Sequence, residues 1–172
     1  MTTDLPRSEL LPPHSPTCMG CGPENPHGLH LNVYWHGDVI FSDVIFDERQ
    51  IGAPGLAHGG AVAAACDDVL GFTPWIVGAP AVTRSLTVEY LLPTPLWKPH
   101  RIVAKVTGRK NRSISLEALG TGMDGIVRFR ATAVFVAVTI EHFAAHGDTS
   151  EFGALLARFD RTGGHTAVDH QS

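Results

Sequence analysis

Two aspartates, Asp67 and Asp68, sit inside an apolar, alanine-rich segment that opens Ala57-His58-Gly59-Gly60 and runs through Ala61-Val62-Ala63-Ala64-Ala65-Cys66. No Lys or Arg occurs between Arg49 and Arg84, so neither carboxylate has a cation close to it in sequence. Taking a carboxylate out of water without a partner costs roughly several kcal/mol, and a segment that keeps one there marks a candidate site. Desolvation raises the pKa of such an acid and makes it a better base than a solvated aspartate, which is the expectation for Asp67. Gly59 and Gly60 open the start of a helix, where unpaired N–H groups and a partial positive charge face outward. Donors of that kind, aimed at a developing oxyanion, are worth roughly 3–4 kcal/mol in hydrolytic enzymes.

Around this pair the chain divides into an arm, a body and a tail. Residues 1–28 are broken by Pro12, Pro13, Pro16, Pro23 and Pro26 and read as an arm or lid lying over a domain. From Leu29 the pattern alternates through Leu31, Val33 and Trp35, turns at Gly37-Asp38, and returns through residues 39–46 as a hairpin. A loop with Gly52, Pro54 and Gly55 leads into a helix from near Gly59 to about Phe72, apolar on nearly all sides and so buried on most of them. Extended segments follow at 82–92, 101–108, 113–119 and 126–140, with a turn at Arg109-Lys110-Asn111. One buried helix among about six antiparallel strands is an α+β arrangement in which the sheet wraps around the helix. The body spans residues 29–142; residues 143–172 carry a short helix expected at 151–159 and a disordered tail from Gly163.

Composition narrows the function. At 172 residues the chain can bury one core. A formal net charge of −4 without a basic patch argues against a nucleic-acid partner. Three cysteines build no secreted disulfide framework. No signal peptide and no apolar run of roughly 18 residues is read, so no membrane span is expected and the cytoplasm is the simplest address.

Four stretches together resemble the hotdog-fold acyl-CoA thioesterases, in the PaaI-like and thioesterase-superfamily branch. They are residues 18–29 (Cys18-Met19-Gly20-Cys21-Gly22-Pro23-Glu24-Asn25-Pro26-His27-Gly28-Leu29), Gly55-Leu56-Ala57-His58-Gly59-Gly60, Asp67 nine residues after the histidine, and Thr83-Arg84-Ser85-Leu86-Thr87-Val88-Glu89-Tyr90 before Leu92-Pro93. The resemblance implies that Asp67 is the catalytic carboxylate, attacking the thioester or activating water, and that the Gly59 N–H polarises the carbonyl. It implies that His58 helps position that group, that Thr83 contacts substrate or water, and that no metal or organic cofactor is needed. Some members carry Asn or Gln six residues before the histidine to orient water. Here that position is Gly52, which leaves Gln50 or Thr83 to hold the water. The family spacing also favours Asp67 over Asp68, which lies about 100° round the helix and is expected to face solvent or a subunit boundary.

Nine residues of helix advance roughly 13 Å through about two and a half turns, so His58 and Asp67 fall on opposite faces. If both act at one thioester, a second subunit must supply the helix start, which predicts a homodimer, or a dimer of dimers, with sites across the interface.

Structural roles stand beside each assignment. Asp67 can pair with Arg84 or with backbone, His58 can make structural bonds alone, Gly59-Gly60 can serve close packing, and Thr83 is an ordinary strand residue. Arg109, Lys110 and Arg112 are either solvated or hold coenzyme A phosphates. Cys18-x-x-Cys21, near His14, His27 and His30, invites a zinc reading, but with one cysteine pair it is assigned to a tight turn and no metal is expected. Trp75 and Phe72 are candidates for the acyl pocket or the core. The competing functions are a non-catalytic acyl-CoA binding or sensing module and a hydratase or dehydratase on the same fold.

Overall fold

A computed structural model describes residues 8–147. Its elements in chain order are β1 (Glu9–Leu10), β2 (Asn32–His36), β3 (Val39–Ile45), a 3-10 turn (Glu48–Gln50), α1 (Gly59–Gly71), α2 (Pro74–Val77), β4 (Ala81–Tyr90), β5 (Pro99–Lys110), β6 (Ser113–Gly122), β7 (Val127–Ala137) and α3 (Ile140–His146). The seven strands form one antiparallel sheet in the order β1-β2-β3-β5-β6-β7-β4. This is the hotdog fold: a sheet wrapped on one long helix.

The period of two explains which sheet face is dry. Ile40, Ser42 and Val44 on β3, His100, Ile102 and Ala104 on β5, Ile114, Leu116 and Ala118 on β6, and Phe129, Ala131, Ala133 and Phe135 on β7 are all buried, and their neighbours alternate outward. Against that face α1 sets Val62, Ala65, Cys66, Val69 and Leu70, spaced as one helical stripe. The opposite side of the helix is not buried: Gly60 is exposed, and Ala64, Asp67 and Gly71 are half-exposed. The expectation of a helix covered on most sides therefore holds for one face only within a single chain.

Four local features differ from the sequence expectation. The arm contributes β1, a two-residue strand pairing Glu9 with Trp35 and Leu10 with Tyr34; so short a segment has no period to read. Pro74, expected only to stop α1, begins α2, because its missing N–H costs nothing at the first helical position. The last β-branched run ends at Ala137, and Ile140 starts α3. Finally, Gly59–Val77 together are long and apolar enough, by length and composition, to cross a membrane, although half of that stretch is buried within the fold; as part of the core helix it is spent on the sheet. The helix expected at 151–159 and the tail from Gly163 lie outside the described residues.

Candidate functional site

Asp67 and Asp68 occupy neighbouring positions and separate fates. Asp67 is half-buried, and its Oδ1 accepts a hydrogen bond from the Thr83 hydroxyl at 2.9 Å. Thr83 lies at the start of β4, where the pairing with β7 jumps from Thr83↔Phe135 to Ser85↔Val134. Arg84 is thus the extra residue of a β-bulge, a device that re-aims side chains next to it. Arg84 makes no ion pair with Asp67; the partner is the threonine. Both residues line a cavity of about 480 Å³ whose other walls include Trp75, Pro80, Val82 and Phe135. Trp75 therefore faces the cavity, whereas Phe72 is fully buried in the core.

The carboxylate that is buried within the chain is Asp68, at 9% exposure, and with His14 and Cys18 it borders the same cavity as Asp67. A turn of about 100° from Asp67 points it under the arm. There His14 Nδ1 lies 3.2 Å from its Oδ1, and Cys18 Sγ lies 3.2 Å from the same oxygen. Cys21 Sγ stands 3.4 Å from His14 Nδ1 and accepts the His14 backbone N–H at 3.2 Å. Burial pushes the Asp68 carboxyl above the usual range, and His14 pulls it back. The Cys18 thiol is held far down by Cys21 beside it, against burial, with help from His14 and the backbone N–H groups of Cys21 and Gly20. The tight turn expected at Cys18-x-x-Cys21 is present, with Gly22 N–H bonded to the Cys18 carbonyl at 3.0 Å. What the sequence reading missed is that the turn packs on α1, so that His14, Cys18, Cys21 and Asp68 each bring a metal-ligating atom within 4.8 Å of the other three.

The third cysteine, Cys66, is fully buried, and burial together with the charge of Asp67 pushes its thiol up to about 12. That removes it as a nucleophile at neutral pH.

At the other end of α1, His58 is the N-cap: its Nδ1 accepts the Gly60 N–H at 2.9 Å. The Gly59 N–H, first in the helix, meets no acceptor among the described residues. The Gly59 carbonyl accepts the Tyr90 hydroxyl at 2.7 Å, and Tyr90 covers Gly59 closely enough that a β-carbon there would stand 3.2 Å from its ring. His58 and Gly60 line a second cavity of about 320 Å³ with Gln50, Arg49 and Leu29. Neither Asp67 nor Thr83 lines it. A single chain therefore keeps His58 and Asp67 in separate cavities.

The absence of an amide side chain at Gly52 has a steric cause. A β-carbon there would lie 2.8 Å from His58 Cα, so the backbone of the cap occupies the space. Gln50 lines the His58 cavity, but its Oε1 accepts the Asp47 N–H at 3.0 Å in a capping box, which leaves its NH₂ group to offer.

Arg109, Lys110 and Arg112 are all exposed in the β5–β6 hairpin, turned through Asn111 at φ 55°. Register relates them to the first cavity: Arg109 pairs with Ile114, Ile114 with Phe135, and Phe135 with Thr83. The basic turn and Thr83 thus lie at one end of the sheet, three strand spacings or roughly 14 Å apart.

Neither a protein-family model nor a curated protein matches the sequence. Solved structures do. A thioesterase superfamily protein is 28% identical with a TM-score of 0.67, over 70% of this chain and 60% of that one, so the match spans less than two thirds of that relative's length. A hypothetical thioesterase from Streptococcus pneumoniae TIGR4, solved with coenzyme A, is 17% identical with a TM-score of 0.59, over 63% of this chain and 88% of that one. The PaaI protein of the E. coli phenylacetic acid degradation operon is 12% identical with a TM-score of 0.60, over 64% and 81%.

Proposed function

We propose, from a chain with the hotdog fold of the thioesterase superfamily, that it hydrolyses acyl-CoA thioesters to a free acid and coenzyme A. The observation that carries the reading is the bond from Thr83 to Asp67 at the wall of a largely apolar cavity of about 480 Å³. Asp67 acts there as general base or nucleophile, and Thr83 orients the carboxylate or the water it activates. Similarity supports the pairing: the S. pneumoniae protein has been solved as an aspartate-to-alanine and as a threonine-to-alanine variant, and those two residues stand sixteen apart, the spacing of Asp67 and Thr83. Its bound coenzyme A supports the substrate class.

The oxyanion donors come from the other end of a helix. The unpartnered Gly59 N–H, at the positive end of α1, suits a thioester carbonyl, and His58 fixes the turn by holding the Gly60 N–H. Because His58 and Asp67 line different cavities, the reading requires a second copy to bring its Gly59 to this chain's Asp67. β4 is where that copy joins: it is a ten-residue edge strand with no neighbour on its outer side among the described residues, and Thr83, Thr87, Glu89 and Tyr90 along it are exposed. The basic turn at Arg109, Lys110 and Arg112 is assigned to the coenzyme A phosphates.

The test is thiol release from a panel of short, long and aromatic acyl-CoAs by wild type and Asp67→Asn, with sedimentation of both. Turnover by a wild-type dimer and a fall of at least about a hundredfold in the variant support the reading. Binding without turnover transfers the chain to the class of acyl-CoA sensors, and an active monomer removes the shared site.

A further inference from the structure

We propose that His14, Cys18, Cys21 and Asp68 form a tetrahedral zinc site that fastens the N-terminal arm onto α1. One donor atom from each of the four lies within 4.8 Å of the others. The three short separations are 3.2 Å from His14 Nδ1 to Asp68 Oδ1, 3.2 Å from Cys18 Sγ to the same oxygen, and 3.4 Å from Cys21 Sγ to His14 Nδ1. A tetrahedral zinc with Zn–S bonds of about 2.3 Å and Zn–N or Zn–O bonds of about 2.0 Å sets its donors roughly 3.3–3.8 Å apart. Those three edges are close to these lengths, and the remaining three are no longer than 4.8 Å.

The donor chemistry selects the metal. Two thiolates, one imidazole and one carboxylate in a closed four-atom set suit zinc rather than magnesium or calcium, which take oxygen ligands in larger number. The surroundings of the sulfurs also fit. Cys21 Sγ accepts the His14 N–H at 3.2 Å. Such bonds stabilise thiolates and orient metal ligands. The His14 ring is fixed by packing on Phe72, with centroids 4.0 Å apart.

Hydrogen bonding alone accounts poorly for the same cluster. Asp68 Oδ1 meets two groups while Oδ2 is buried with no partner among the described residues. An orphaned carboxylate oxygen costs free energy, whereas a carboxylate binding a cation through one oxygen shares the charge of both. Two glycines make the approach: a β-carbon on Gly20 would overlap the Asp68 carboxyl, and one on Gly22 would overlap the Cys18 backbone. The arm backbone is therefore pressed against the helix where only glycine fits. Since Asp67 directly precedes Asp68, a metal on Asp68 fixes the rotation of α1 that turns Asp67 toward Thr83. The zinc site stands on its own geometry, whether or not the chain hydrolyses thioesters.

The experiment uses the full chain purified without chelator from zinc-supplemented cells. Elemental analysis should give about one zinc per chain. Cobalt exchanged into the same protein should show visible bands of tetrahedral intensity and a thiolate-to-cobalt charge-transfer band. Cys21→Ser and Asp68→Asn should each weaken cobalt binding by at least the roughly 10–100-fold that loss of even an outer partner costs. Should either variant fail to fold, the wild type decides the matter through chelator: a lower melting temperature and newly reactive Cys18 and Cys21 thiols support the site. Wild-type protein that takes up neither zinc nor cobalt, a cobalt spectrum without thiolate bands, or a Cys18–Cys21 disulfide in freshly purified protein each overturns it. None of these readouts depends on hydrolysis, so the zinc site and the thioesterase reading fail separately.

Discussion

Thr83 reaches from β4 to α1 and donates a hydrogen bond of 2.9 Å to Asp67 Oδ1, one residue before a β-bulge in its own strand. Because Thr83 is exposed and Asp67 only half-buried, the bond sets the direction of the carboxylate more than it stabilises the fold. Removing the hydroxyl should therefore act on catalysis. Thr83→Val is expected to lower kcat by about tenfold to a hundredfold with little change in KM or melting temperature. Steady-state kinetics beside a thermal melt checks this; an equal fall in stability and activity would make Thr83 an ordinary strand residue.

The basic hairpin should contribute binding and not chemistry. Changing Arg109, Lys110 and Arg112 together to Ala is expected to raise KM for acyl-CoA by about tenfold or more with kcat held. Added salt should weaken wild-type binding in the same direction, because these side chains are exposed. An acyl-pantetheine substrate, which lacks the nucleotide phosphates, supplies the control: the triple variant and wild type should handle it alike.

Gly52 carries a steric prediction. Gly52→Gln would supply the amide that the family resemblance leads one to expect six residues before the histidine, yet its β-carbon would press on the His58 backbone at 2.8 Å. The variant should lose about 1–3 kcal/mol of stability and gain no activity. Chemical denaturation and initial rates decide; a stable, faster variant would show that the loop moves aside freely.

His100 should be visible in the pH dependence of stability. It is fully buried, with centroids 6.3 Å from Phe46 and 6.5 Å from Phe129, and its Nδ1 has no partner among the described residues. Burial, against the backbone of Lys98 and with the nearby charge of Arg128, holds its pKa below the ordinary value. The folded state then resists a proton that the unfolded chain accepts. Its contribution is intact above the unfolded pKa of about 6.5 and declines as pH falls through and below it. Denaturation of wild type and His100→Leu near pH 7.5 and pH 5.5 should show the comparison shifting toward the variant at the lower pH. Parallel losses in the two proteins would sink this assignment.

Much of the fold was legible because it is written in periods. The strands on either side of α1 alternate over seven or more residues, and α1 itself carries a glycine pair, a cap and an unbroken apolar run. β1 was not legible, since two residues have no period. The strand expected through Ile140 failed because Val138, Thr139 and Ile140 favour strands locally while the chain turns into α3. At the site, Asp67 and Thr83 follow from the family resemblance, and a hydrogen bond brings them together. The surroundings of Asp68 were not legible, although His14, Cys18 and Cys21 stand within eight residues of one another. Their fourth member lies 50 residues beyond Cys18, and only the packing of the arm on the helix joins them.

Among the described residues the two borders of the sheet are unequal: β1 offers two residues on one side, and β4 offers ten on the other. A sheet of that shape has a valence of one. In the proposed pair, two copies meeting along β4 across a two-fold axis would each consume the partner's long border and leave, among the described residues, only the blunt ones. Such a pair would stop growing after a single step, so the same asymmetry that permits it would work against a fibre.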